Sequence, residues 1–192
     1  MSQEIFYVTG NESKFKEIND FICWNNVPIT LRQYHVELTE EQILDQKLIA
    51  VTKAMQAWQI LKKPLIVDDA GFFFEKYPKF PGTLSKPVVQ ALGWDGVLEF
   101  ALSIDNHRMF HAIHLVYMYA DDSYEVFYSE CHGTVIKPDV SAGPKGLEGF
   151  GFFVPDGSKK TYAQMYGTTE FEKFSYRMAA FKKFLEWHKK NG

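Results

Sequence analysis

The sequence predicts an α/β fold: a mixed sheet with flanking helices and a long central hairpin. Two observations carry this. Up to about residue 103, short apolar runs of strand length alternate with stretches whose apolar residues recur at helical spacing. Beyond it, Phe110 to Tyr119 is almost wholly apolar, and after one turn signal Tyr124 to Val135 reads as the returning strand of a hairpin. No internal repeat or inter-domain linker interrupts the 192 residues, so one domain spanning 1–192 is expected.

The elements follow in order. Ile5-Phe6-Tyr7-Val8 is a short buried strand that stops at Thr9-Gly10-Asn11. Phe15, Ile18 and Ile22 then define a helix, with Asn11 or Ser13 as its N-cap. A second helix is expected over Glu41–Leu61, with Leu44, Leu48, Val51, Met55 and Trp58 along its apolar stripe. After Pro64, Leu65-Ile66-Val67 is a strand that delivers Asp68-Asp69, and Gly71-Phe72-Phe73-Phe74 resumes after a bend. Pro78 and Pro81-Gly82 read as an irregular loop. Residues 85–103 read as a helix broken near Gly93-Trp94-Asp95-Gly96. The hairpin turns at Asp121-Asp122-Ser123, and Pro138–Gly151 is a glycine-rich loop. The final helix is expected from Phe174 to Lys189, with Met178, Phe181, Leu185 and His188 on one stripe.

Composition narrows the function. A net charge of −3 lacks the excess of positive charge on which nucleic-acid coats and anionic-membrane binders depend, so neither partner is expected. Two cysteines, Cys23 and Cys131, make no disulfide framework and share no metal spacing; Cys23 falls on the apolar helix face and is expected in the core. The polar opening Met1–Glu4 is no signal peptide, and no run approaches the ~20 apolar residues that cross a bilayer. A cytoplasmic protein is expected. The 16% aromatic content suits a large core and a stacking pocket. The six histidines show no metal or nucleophile motif and are expected to be structural.

Two segments suggest chemistry. Thr9-Gly10-Asn11-Glu12-Ser13-Lys14 joins a strand to a helix, where backbone N–H groups and Lys14 suit an anion; alone, it reads first as an ordinary capped turn. Asp68-Asp69 places two adjacent carboxylates at a strand end, which is costly unless cations relieve them. Strand C-terminal ends are where open α/β sheets bind ligands, and hard oxygen donors suit magnesium or manganese. Glu40 and Glu41 open the second helix; they complement its dipole or supply a third carboxylate.

In combination these segments resemble the inosine/xanthosine triphosphate pyrophosphatase family, over Ile5 to about His188. Thr9-Gly10-Asn11-x-x-Lys14-x-x-Glu17 resembles its opening motif, and Asp68-Asp69-Ala70-Gly71 its acidic segment. Pro81-Gly82-x-x-Ser85, Gly149-Phe150-Gly151-Phe152, Pro155-x-Gly157, Thr161-x-Ala163-x-Met165 and Ser175-x-Arg177-x-x-Ala180 follow in the family's order. The resemblance implies a strongly twisted sheet in two lobes around a cleft, a homodimer, and magnesium-dependent (or manganese-dependent) hydrolysis of ITP, dITP and XTP to monophosphate and pyrophosphate. It implies that Thr9, Asn11, Lys14 and Lys53 hold the triphosphate, and that Glu41 and Asp68 bind the metal. Asp69 would activate water, and Phe150, Phe152, Ser175 and Arg177 would line the base pocket. Glu41 preserves an ungapped register to Asp68, whereas Glu40-Glu41-Gln42 resembles the family's Glu-x-Gln and points to Glu40.

Three departures fall in the base-reading half. The family's Asp after the aromatic is missing from Phe152-Phe153-Val154, Tyr176 stands where it has His, and Phe171 where it has a base-contacting Lys. Two alternatives therefore stay open: a pyrophosphatase with another base preference, such as a modified pyrimidine, and a nucleotide-binding protein that does not hydrolyse.

Overall fold

The computed structural model describes residues 3–138 and 148–191. In chain order the elements are β1 (Gln3–Val8), α1 (Glu12–Trp24), β2 (Ile29–Tyr34), α2 (Gln46–Leu61), β3 (Leu65–Phe74) and β4 (Tyr77–Pro81). Then come α3 (Ser85–Ser103), β5 (Arg108–Ala120), β6 (Ser123–Val135), β7 (Phe153–Pro155), α4 (Tyr162–Met165) and α5 (Tyr176–Asn191). The strands hydrogen-bond in the order β2-β1-β3-β5-β6-β7, with β4 on β3. Parallel β1–β2 and β1–β3 pairs combine with antiparallel β3–β4 and β6–β7 pairs, which makes the sheet mixed, as the sequence predicts. Where the sequence shows no boundary, the chain partitions into two compact units: 1–69, 113–129 and 177–192, and 70–112 with 130–176.

In the first unit β1 alternates, with Ile5 and Tyr7 on one face and Phe6 and Val8 on the other. The Phe6 and Val8 face receives α2, which buries Ala50, Val51, Ala54, Ala57 and Trp58 against Leu65, Val67, Val116 and Met118. The opposite face carries α1 and α5, whose Phe21 and Phe181 meet edge to face, while Phe184 packs on Tyr117. Asn11 caps α1 by accepting from the N–H groups of Ser13 (2.9 Å) and Lys14 (3.2 Å), an arrangement worth about 1 kcal/mol.

Three expectations in this unit are corrected. Helix α2 begins at Gln46 with Asp45 as its cap, so Glu40 and Glu41 precede the helix and do not complement its dipole. Of the predicted stripe Val51 and Trp58 are buried, beside Ala50, Ala54 and Ala57, whereas Leu48 and Met55 are exposed, as is Leu44 before the helix. Alanines let the helix approach the sheet closely, and burial follows fit to the sheet more than side-chain size. Cys23 is exposed, because α1 turns Ile18, Phe21 and Ile22 inward and leaves position 23 on the rim.

In the second unit β3 continues through Phe74 without the expected bend, and the Pro78–Pro81 segment is a strand, not a loop. Both prolines sit on β4, which pairs only with β3 in the strand order and so has an edge where a missing N–H costs nothing. Gly71 is required here: a Cβ on it would lie 2.4 Å from the Gly82 carbonyl oxygen. Ser85 locks that approach, its hydroxyl 2.6 Å from the Gly82 oxygen and accepting from the Phe72 N–H at 3.1 Å. The break in α3 falls at Gly93, whose φ of 67° is the left-handed region. His111 stacks parallel to Tyr176 at 5.3 Å and lies near Phe150, Phe153 and Tyr162. Of the glycine-rich loop, 139–147, including Gly146, lies outside the described residues, and Glu148–Gly151 is a short 3-10 turn.

Candidate active site

The site is built in the first unit by strand register. Parallel pairing aligns Phe6 with Leu65 and Tyr7 with Ile66, so two residues further on Asp68 stands beside the β1–α1 turn. The first turn of α1 then carries Lys14 within reach of a carboxylate 54 positions away. Alternation along β3 sends Asp68 and Asp69 to opposite faces. Asp68 shares its face with Tyr7, α1 and α5; Asp69 faces α2.

Asp68 is 4% exposed, with donors on both oxygens. Lys14 Nζ pairs with Oδ1, and the Tyr7 hydroxyl donates to Oδ2. Arg177 Nε donates to the same Oδ2 at 3.2 Å, and Arg177 Nη1 donates to Glu17 Oε2 at 2.7 Å. Burial opposes ionisation of Asp68, yet the Lys14 and Arg177 charges outweigh it and hold the carboxyl well below the usual carboxylate range. Burial, with the Asp68 charge alongside, pushes the Tyr7 hydroxyl far upward, so it stays a donor.

Asp69 has a different setting. Lys53 Nζ, on α2, lies 3.6 Å from Asp69 Oδ1, 2.7 Å from Glu40 Oε1 and 3.2 Å from the Asp68 carbonyl oxygen. Burial raises the Asp69 carboxyl, only partly offset by Lys53 and Lys14. Two adjacent carboxylates are thus tolerated because each faces its own cation.

The other predicted residues are distributed as follows. Thr9 Oγ1 accepts from the Asn11 N–H at 3.1 Å, which closes the β1–α1 turn. Glu41 is exposed, and Glu40 is the acid that meets Lys53. Phe150, Phe152 and Ser175 are buried in the second unit, with Phe152 edge-on to Trp94 and Phe150 against Tyr162 and Phe171. Arg177 belongs to the first unit and to the Asp68 cluster. Tyr7 and Glu17 have site contacts to which the motif reading gave no role, and Glu40, its alternative metal ligand, meets Lys53. Tyr7 was findable: a tyrosine in a buried strand needs a partner for its hydroxyl.

Asp68, Asp69, Glu40 and Glu41 offer hard oxygen donors, yet no three acidic, His or Cys side chains gather as a metal cage among the described residues. That combination fits magnesium, which is held by one or two carboxylates together with substrate phosphates.

Asp68 and Asp69 stand in the interior of β3, not at the strand end that the sequence predicts, and two lysines pair with them just past the end of β1. The Ham1 family profile matches residues 5–187, and the chain belongs to that family. It is 32% identical to a dITP/XTP pyrophosphatase of Hyperthermus butylicus, covering 98% of this chain and 96% of that protein. It is 29% identical to an inosine triphosphate pyrophosphatase of Kluyveromyces lactis over 96% of this chain and 95% of that one. Its fold matches that of a HAM1 protein from Coxiella burnetii, with a TM-score of 0.77 at 16% identity over 98% and 99% of the two chains.

Proposed function

We propose that this protein hydrolyses non-canonical purine nucleoside triphosphates, ITP, dITP and XTP, to the monophosphate and pyrophosphate. The observation that carries the reading is the pairing of Lys14 with Asp68 and of Lys53 with Asp69 and Glu40 in the interior of β3. A cluster with as many lysines as aspartates is poised for exchange: triphosphate oxygens draw the lysines, and the released carboxylates turn to a cation and to water. The names of the relatives supply the substrate class.

Lys14, the helix N-terminus behind Asn11, and Thr9 bind phosphate oxygens, and Lys53 adds a second charge. Asp68 would hold magnesium through Oδ1, the oxygen that Lys14 occupies here, with Glu41 from the segment before α2 as a second ligand. The ion would neutralise phosphate charge as pyrophosphate leaves. Asp69, raised by burial, takes the proton of the water that attacks the α-phosphorus. A homodimer is proposed on the resemblance, and light scattering tests it.

The test of this reading is pyrophosphate release from ITP, XTP, GTP, ATP and UTP with magnesium, manganese or chelator. Metal-dependent release, strongest with ITP and XTP, supports it. Nucleotide binding without release would favour a non-hydrolysing binder, and preference for a pyrimidine would move the substrate class. Glu40→Gln and Glu41→Gln decide the second ligand, since loss of the ligand raises the magnesium needed for half-maximal rate.

A further inference from the structure

We propose that Gln56 is a positioning residue: its side-chain amide fixes the segment that carries Glu40 and Glu41 against α2, and so sets where the acidic pair meets Lys53 and Asp69. This rests on the pyrophosphatase reading and adds to it a residue to which no motif assigns a role.

Three observations support it. First, Gln56 holds one residue by both of its backbone polar groups. The Thr39 N–H donates to Gln56 Oε1 at 2.9 Å, and Gln56 Nε2 donates to the Thr39 carbonyl oxygen at 2.9 Å. A carboxamide carries its acceptor and its donors in one plane. The closed pair therefore fixes the direction of the backbone at Thr39 as well as its place, as a hydrogen-bonded pair does in an antiparallel ladder.

Second, the segment has no regular structure of its own. Residues 35–45 lie between β2 and α2 outside helix and strand, and Thr39, Glu40 and Glu41 are exposed. Val36 and Leu38 pack on the α2 core at its start, and Asp45 caps α2 at its end. Gln56 holds the stretch between these anchors, immediately before the two acids.

Third, the contact adjoins the chemistry. Glu40 follows Thr39 directly, and its Oε1 lies 2.7 Å from Lys53 Nζ, which is itself 3.6 Å from Asp69 Oδ1. Lys53 and Gln56 are three residues apart on α2, so they share one side of the helix. That side holds Thr39 through a neutral amide and Glu40 through a charge.

The two contacts differ in permanence. Phosphate oxygens compete for the Lys53 ammonium, and Glu40 is released as they do so. Neither an anion nor a cation competes strongly for the neutral Gln56 contact, so it persists while the charges exchange. It keeps the Glu40-Glu41 backbone at the centre when the carboxylates turn to a metal. Without it, the cost of ordering an exposed segment falls on the metal-binding step. Groups that orient a ligating carboxylate change metal affinity or activity by about 10–100-fold when removed, and an exposed contact one residue from the carboxylate belongs at the low end.

The experiment uses the full chain with Gln56→Met, which keeps length and helix propensity and removes both hydrogen bonds. Gln56→Asn keeps the amide but is one methylene short, and it stands in if the methionine alters packing. Three quantities are measured: hydrogen exchange over 36–45 and over α2, the magnesium dependence of ITP hydrolysis, and calorimetric magnesium affinity in the presence of a non-hydrolysable ITP analogue. The expected result is faster exchange over 36–45 with α2 unchanged. The magnesium needed for half-maximal rate rises by about tenfold, with a matching loss of calorimetric affinity. At saturating magnesium, kcat and the KM for ITP stay within about twofold of the parent. Unchanged exchange over 36–45, or faster exchange with an unmoved magnesium requirement, would overturn the proposal. So would loss of protection throughout α2 with a lowered kcat at saturating magnesium, the sign of a purely structural role. Failure of the unmodified chain to release pyrophosphate would overturn the function reading itself, a result visible before any variant is measured.

Discussion

Asp68 and Asp69 are adjacent on β3 and have separate partners: Asp68 Oδ2 accepts from Arg177 Nε at 3.2 Å, whereas Asp69 Oδ1 lies 3.6 Å from Lys53 Nζ. The division follows from the two-residue period of a strand. One carboxylate is fixed in a buried ionic cluster and the other is left with a single long contact to a lysine that Glu40 shares.

Substitutions at the two positions should therefore differ in their cost to stability. Asp69→Asn is expected to retain nucleotide binding and the thermal midpoint while lowering turnover by about 10²–10⁴, the contribution of a positioned base. Asp68→Asn is expected to destabilise the fold by about 3–5 kcal/mol, because Arg177 and Lys14 lose a buried counter-charge. Urea unfolding with steady-state kinetics on both variants checks this. Near-normal turnover in Asp69→Asn would remove it as the base.

The packing of α2 gives a second prediction. Ala54 is 1% exposed, while Leu48 is 49% exposed. Ala54→Leu overpacks the sheet-facing side and should cost about 1–3 kcal/mol. Leu48→Gln on the outer side should change stability by no more than about 0.5 kcal/mol. Equal effects at both positions would contradict the assigned face.

A surface network in the second unit predicts a pH dependence. His132 Nδ1 lies 2.8 Å from Glu75 Oε1 and its Nε2 3.1 Å from Glu130 Oε1. Partial burial lowers the imidazole, but the two carboxylates prevail and raise it above its ordinary 6.5. The folded state thus binds this proton more tightly than the unfolded chain. Its contribution is complete below pH 6.5 and is lost as pH rises through the raised value. Thermal midpoints of the parent and His132→Gln, measured from acid to alkaline pH, should differ most on the acid side and converge above it. A gap that widens with rising pH would show the wrong sign.

Base selection gives a fourth. Tyr176 is 6% exposed and stacked on His111, so it is committed to the second unit's core where the family has a histidine. Sites that hydrogen-bond a base group can reject analogues lacking it by up to ~10⁴–10⁵, and in this chain the family's Asp and His for that purpose are missing and its Lys is displaced to Lys173. The expected preference for ITP and XTP over GTP and ATP is correspondingly shallower. Measured kcat/KM values across the panel decide it, and a steep preference would mean that other residues rebuild the pocket.

Much of this arrangement was legible in the residues. The β1–α1 turn, the α3 break at Gly93 and the long hairpin each depend on local chemistry, and local chemistry is written in sequence; the acidic pair was expected at a strand end but lies inside β3. What was not legible depends on partners far along the chain. Glu17 and Arg177 are 160 positions apart, so neither motif announces the pair. The start of α2 was misplaced because Glu40-Glu41 looks like a dipole-complementing first turn, while Asp45 makes the actual cap. Its stripe was misread because the large residues form a helical row of their own beside the alanines that the sheet accepts. Burial of Cys23 was inferred from neighbouring apolar positions, yet a helix rim differs from its face by a single residue.

The central claim is that the Asp68–Asp69 cluster of β3 directs water to the α-phosphorus of a nucleoside triphosphate. Hydrolysis of ITP in heavy-oxygen water, followed by mass spectrometry of the products, tests it most directly. The account predicts IMP carrying the label and unlabelled pyrophosphate. Label in pyrophosphate, or formation of IDP with orthophosphate, would place the attack at another phosphorus and contradict it.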